Sequence, residues 1–208
     1  MPGQAVCAAF GDRDYPYVEI SSPTWSINRI AVFSRTQLRR TRLCPAPPED
    51  SVRWLEIDLP EHGFGIGVLH VMAAGSSKTH SPNVAKVGFW DAVLRAAKAR
   101  LPEPFLFIGD RSTGAHRIDE QGKTFVRSEE FLKLSAMGWT DLWRHPNPVN
   151  TEWTWYSTLK GSVRGNGFRL DHAFATLILR PRVRACRYSH KELESGISDH
   201  SIVIVEVE

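Results

Sequence analysis

The sequence predicts an α+β fold, a sandwich of locally paired strands covered by helices. Three observations carry this. Val52 to Leu59 and Phe64 to Val71 alternate with period two on either side of a Pro60–Gly63 turn, the pattern of an antiparallel hairpin. Val87, Trp90, Val93, Leu94, Ala97 and Leu101 recur at helical spacing. Pro104 to Gly109 is a short continuous apolar run, as in a strand covered on both faces.

Residues 1 to 24 are rich in Pro, Gly, Asp and small residues and read as an irregular segment, with one short strand at Tyr17–Ile20. Asn28 to Ser34 alternates as a strand. Thr36 to Arg42 is polar and carries Arg39, Arg40 and Arg42, a solvated face or a phosphate contact. Cys44-Pro45-Ala46-Pro47-Pro48 and the stretch from Gly75 to Pro82 read as loops. Pro102 and Pro104 end the long helix. Ser128 is placed to N-cap a second helix, with Glu129 and Glu130 in its first turn, Phe131, Leu134 and Met137 on its buried stripe, and Gly138 as its stop. Trp153 to Tyr156, Phe168 to Thr176 and Ile202 to Val207 read as further strands. No internal boundary separates these elements, so residues 25–208 form one domain.

A chain of 208 residues with 42% hydrophobic and 24% charged residues suits one soluble domain with a substantial core. Its formal net charge of +3 is compatible with a phosphate-rich ligand. No apolar run is long enough for a membrane span, and no signal peptide is apparent at Met1-Pro2-Gly3-Gln4. Cys7, Cys44 and Cys186 are far apart and odd in number, which predicts reduced thiols and a cytoplasmic protein.

Three segments deliver an acid to a strand end or into a strand: Phe107-Ile108-Gly109-Asp110, Phe168-Arg169-Leu170-Asp171-His172 and Ser198-Asp199-His200-Ser201. Phosphodiester hydrolysis needs an attacking water, charge neutralisation on the phosphoryl oxygens, and help for the leaving oxygen. A hard cation, Mg²⁺ or Mn²⁺, suits carboxylate ligands and such a reaction. Asp199 is the candidate metal ligand and His200 the candidate phosphate contact. The plainer alternative is that Asp199 caps a turn and His200 is a half-buried strand histidine. Asp171 sits among apolar residues, where a carboxylate is costly unless paired; Arg169 and His172 are the neighbouring candidates. Asp110 ends its strand and can equally cap the following loop. Trp153 and Trp155 can stack a base or sugar, with at least one of them read as core, and Arg164, Asn166 and Arg169 can line the approach to Asp171.

Four matches in order, Val68-Leu69-His70, Gly109-Asp110-Arg111-Ser112, Arg169-Leu170-Asp171 and Ser198-Asp199-His200, make the chain resemble the endonuclease/exonuclease/phosphatase superfamily, the class of exonuclease III and deoxyribonuclease I. The resemblance covers roughly residues 25 to 207. It implies a four-layer α/β/β/α sandwich and a metal-dependent nuclease acting on nucleic acid or another phosphoester. It implies that Asp171 orients His200, that Asp110 orients the attacking water, and that His70 lies near the scissile phosphate. Ser112 stands where the family has asparagine. No segment before Trp25 resembles the family's opening strand, helix and glutamate-bearing strand, so the chain reads as N-terminally incomplete. A partner chain is one expected source of the missing strands, and Glu19, Glu56 and Asp58 are the acids available to replace the glutamate. The alternative function is a non-catalytic binding or regulatory protein on the same scaffold.

Overall fold

The computed structural model describes residues 14–22, 29–41, 52–73, 82–158 and 164–208. Twelve strands are described: β1 (Tyr17–Ile20), β2 (Ala31–Ser34), β3 (Arg39–Arg40), β4 (Trp54–Leu59), β5 (Phe64–Leu69), β6 (Phe105–Asp110), β7 (Thr140–Asp141), β8 (Trp155–Thr158), β9 (Arg164–Phe168), β10 (Asp171–Ala175), β11 (Val183–Ser189) and β12 (Ile202–Val207). Three α-helices accompany them: α1 (Pro82–Arg100), α2 (Ser128–Ala136) and the short α3 (Lys191–Glu194). Among these helices none is long and apolar enough to cross a membrane.

Six strands form the central sheet in the order β3-β4-β5-β6-β10-β7. The expected hairpin is β4–β5, antiparallel from Trp54↔Leu69 to Leu59↔Phe64. α1 then returns the chain so that β6 runs parallel to β5. In β5, Gly65 and Gly67 leave room for the rings of Phe105 and Phe107, which lie where a β-carbon would be. Those two rings, with Trp54, Leu69 and Phe174, face Phe89, Trp90, Val93 and Ala97 of α1 and Phe131 and Leu134 of α2. The opposite face carries Leu106, Ala173 and Ala175 against Val203, Val205 and Val207 of β12, and Leu55 and Ile57 against Ile30 and Val32. Helices therefore cover one face of the sheet and a second layer of strands covers the other. This is the layer order of the expected sandwich.

Several local expectations change. Ser128 is the first residue of α2 rather than its cap: Arg127 takes the cap position at φ 70°. The Ser128 hydroxyl donates instead to the Gly114 carbonyl at 2.7 Å, tying the helix to the loop after β6. The predicted strand from Phe168 to Thr176 breaks at Arg169 and Leu170, because the Arg169 side chain turns inward to two carboxylates. Its two halves join different sheets, β9 with β8 and β10 with β6. β11 escapes the sequence pattern because Arg184 and Arg187 interrupt it; both sit exposed while Cys186 and Val183 face the core. The Cys44–Pro48 segment, Arg42, Asn28, Cys7 and residues 75–81 lie outside the described residues.

Gly109 fixes the end of β6. Its φ is 130°, which residues with a side chain rarely adopt, and a β-carbon there would strike the Leu69 carbonyl oxygen. Gly109→Ala is expected to cost at least about 1–3 kcal/mol. A urea midpoint equal to that of the parent chain would refute this close approach.

Candidate active site

The site is assembled by strand register. β6 and β10 are antiparallel with Asp110 directly opposite Asp171. Residues so paired point to the same face, and here that face is the one covered by β11 and β12. His200, just before β12, forms a bridge with Trp155 that brings it over the same end of the sheet. His70 follows directly after β5, the parallel neighbour of β6.

Asp110, His200 and His70 line one cleft of about 570 Å³, together with Arg53, Lys86, Ser112, Phe125, Trp155 and Phe168, while the buried Asp171 stands behind His200. His200 Nδ1 lies 2.8 Å from Asp171 Oδ2. That contact holds the ring and leaves Nε2 for the cleft. Burial works against a charge on His200, but the hydrogen bond and charge of Asp171 outweigh it, and its pKa is raised above the ordinary value. Asp110 is pushed up to about 6 by burial and then by the Asp171 carboxylate, with His200 and Ser112 opposing. Ser112 sits at φ 45° and its amide donates to Asp110 Oδ1 at 2.5 Å, the turn expected of an aspartate capping its own loop. His70 Nε2 is 3.6 Å from Asp110 Oδ2. Burial and the neighbouring Arg53 push His70 down to about 4, so it is neutral.

Asp171 therefore pairs with His200 and not with its sequence neighbours. His172 points to the helical face, where it is fully buried and its Nε2 lies 3.0 Å from the Thr113 carbonyl oxygen. Arg169, expected to line the site, is 1% exposed and bridges Asp119 and Asp141. Asn166 is exposed and absent from the cleft wall, and Arg164 lies over the Tyr156 ring. Asp199 is exposed and stands outside the lining, while its neighbour His200 enters it. Trp155 does line the cleft, its ring 6.3 Å from that of His200 and 5.7 Å from that of Phe168. Trp153 packs on Gly167. Arg39 pairs with Asp58 at 2.7 Å, and Arg40 donates to the Ile20 and Ser21 carbonyl oxygens.

The acids offered as replacements for the family's glutamate do not line the cleft. Glu56 is buried and accepts from Trp54 and Arg100. Asp58 is held by Arg39, and Glu19 lies on β1 opposite Val32. Among the described residues no three His, Cys, Asp or Glu side chains group to hold a metal ion. Asp110, the carboxylate of the cleft lining, accepts from Ser112, and Asp171 behind it is engaged by His200. This donor set does not fit a resident divalent ion.

Arg53, Lys86, Phe125 and Phe168 are among the lining residues that sequence reasoning missed. Phe168 was visible only as the apolar residue ahead of Arg-x-Asp. Lys86 had no signal, because it lies on a helix whose apolar stripe says nothing about its other faces.

No family model and no curated protein matches the sequence. Solved structures do. The 3′ phosphatase NExo from Neisseria, bound to a product DNA hairpin, aligns with a TM-score of 0.80 at 18% identity over 97% of this chain and 82% of that one. An AP endonuclease from Archaeoglobus fulgidus gives 0.80 at 20% identity over 97% and 82%. The chain has the fold of the endonuclease/exonuclease/phosphatase superfamily. The 3′–5′ exonuclease NExo from Neisseria meningitidis adds a third match, 0.77 at 19% identity over 97% and 83%. Within this superfamily fold, the cleft of Asp110 and His200 lies where strands of both layers end. Nothing in the comparisons supports the expected partner chain.

Proposed function

We propose that the chain is a phosphoester hydrolase acting on nucleic acid, with Asp110, Asp171, His200 and His70 around the reacting phosphate. The observation that carries this reading is the hydrogen-bonded Asp171–His200 pair beside Asp110, with His200 and Asp110 lining one cleft. The fold shared with a DNA-bound 3′ phosphatase and an AP endonuclease supports the substrate class.

In hydrolysis, water oxygen bonds to phosphorus, the ester P–O bond breaks, and the leaving oxygen takes a proton. Ionised Asp110 orients the water and accepts its proton. Protonated His200 donates through Nε2 to a phosphoryl oxygen, and Asp171 keeps the ring in the orientation and charge state for this. Trp155 stacks on the base or sugar beside the phosphate. Mg²⁺ or Mn²⁺, were it to come with the substrate, would neutralise charge on the phosphoryl oxygens, and Asp199, beside His200 but outside the cleft lining, would be the acid to hold it.

The test is turnover of DNA carrying a 3′ phosphate or an abasic site, with added Mg²⁺ or Mn²⁺ and with chelator. Activity should rise with pH through about 6, where Asp110 ionises. It should fall at higher pH as His200, whose pKa is raised, loses its proton. A chain that binds DNA and shows no turnover at any pH would establish the second reading, a non-catalytic binding protein. The engagement of Asp110 by Ser112 and the misfit of the donor set for a metal favour that second reading.

A further inference from the structure

Lys86 belongs to no motif. It is carried by the second turn of α1 and only 1% of its surface is exposed, yet it lines the cleft beside Asp110. Its Nζ donates to the Ser112 carbonyl oxygen at 2.8 Å, which ties α1 to the turn that follows Asp110. An ammonium has three N–H donors. Among the described residues, that carbonyl is its one hydrogen-bond acceptor. A buried cation with no carboxylate in hydrogen-bond contact is costly, and Lys86 borders the cleft.

We infer that Lys86 is a phosphate-binding residue, its Nζ taking a non-bridging phosphoryl oxygen and holding the group against the Asp110–Ser112 turn. This rests on the phosphoester reading of the cleft and adds to it the positive charge that the donor set lacks. An ammonium hydrogen-bonded to a backbone carbonyl at a strand end is a fixed point charge, so it fixes the phosphorus relative to Asp110 and His200 on opposite sides. The charged groups around it are Asp110 on β6, Arg127 ahead of α2, and Arg53, His70 and His200 across the cleft. Burial pushes the ammonium down to about 8, with Asp110 opposing and Arg127 assisting, so it carries its charge at neutral pH.

The test uses the full chain and inorganic phosphate, with affinity read by titration calorimetry and by amide shifts at Ser112. Lys86→Met should weaken phosphate binding by about tenfold or more, some 1.4 kcal/mol. Lys86→Arg should retain it, because the charge is kept. For the parent chain, phosphate affinity should fall as pH rises through about 8, and this limb should be missing from Lys86→Arg. A melting curve for Lys86→Met checks its folding, and the Lys86→Arg pH series stands without that variant. Binding by folded Lys86→Met equal to that of the parent chain, or no phosphate binding by the parent chain, overturns the inference. Phosphate binding that depends on Lys86 without any phosphoester turnover supports it while rejecting the hydrolase reading.

Discussion

Replacing His200 by alanine is expected to lower phosphoester turnover by about 10²–10³-fold, the range for losing one hydrogen-bond donor to a charged reacting oxygen. His200 reaches into the cleft and is half-buried, so its removal leaves the sandwich intact and the melting temperature close to that of the parent. Asp171→Asn should fall in the same range, because the 2.8 Å contact to Nδ1 sets both the tautomer and the charge of the ring. The two residues act as one unit, so the double variant should lose little more than either single one. Losses that multiply would show that Asp171 acts on the substrate independently. A fully active His200→Ala chain would remove the histidine from the chemistry altogether.

The largest expected effect on stability lies behind the cleft. Arg169 Nε donates to Asp119 Oδ1 at 2.7 Å, and its Nη1 and Nη2 donate to the two oxygens of Asp141 at 3.1 and 2.7 Å. Arg144 also holds Asp119, at 2.8 Å. One guanidinium thereby joins the loop after β6, the edge strand β7 and the break between β9 and β10. Arg169→Leu strands two buried carboxylates, and losing one partner of such a network costs about 3–5 kcal/mol. The readout is a lower urea midpoint with an unchanged slope. Burial alone would raise the Asp141 carboxyl, but Arg169 overrides it and holds the group well below the usual range. A carboxyl depressed in the folded state contributes stability above its unfolded pKa, and that contribution fades as pH falls. The deficit of Arg169→Leu should thus be full at neutral pH and shrink below about pH 4. A neutral-pH loss within about 1 kcal/mol would show that water replaces the guanidinium without penalty.

The strand and helix skeleton was largely legible because its signals are periodic. The β4–β5 hairpin, α1, β6, α2 and β12 all announce themselves through alternation or a buried stripe. β11 did not, since it pairs along one edge only and two arginines break its pattern. Within the site, Asp110, Asp171 and His200 were legible because a polar residue closing or opening an apolar strand has few places to go. Arg169 and Asn166 misled for the opposite reason. They precede Asp171 in sequence, but Asn166 sits exposed within β9, and Arg169 lies in the break between β9 and β10, where its side chain turns inward. Arg169 was read as lining the approach to Asp171, or as its ion-pair partner, because its true partners, Asp119 and Asp141, are remote in sequence. Lys86 was invisible because its role depends on which side of α1 meets the turn after β6.

The direct opposition of Asp110 and Asp171 gives the β6–β10 pair the character of a reading frame. A one-residue deletion within β6 would send one of the two carboxylates to the helical side, among Phe107, Phe174 and Trp139. The backbone ladder would still close, and the molecule would keep its layers while losing its centre. Insertions between Trp143 and Glu152, beyond the short β7 edge, alter no pairing in that ladder. The lineage of such a chain should therefore record length changes in that connection and none in the two strands, whatever happens to the identity of the residues they carry.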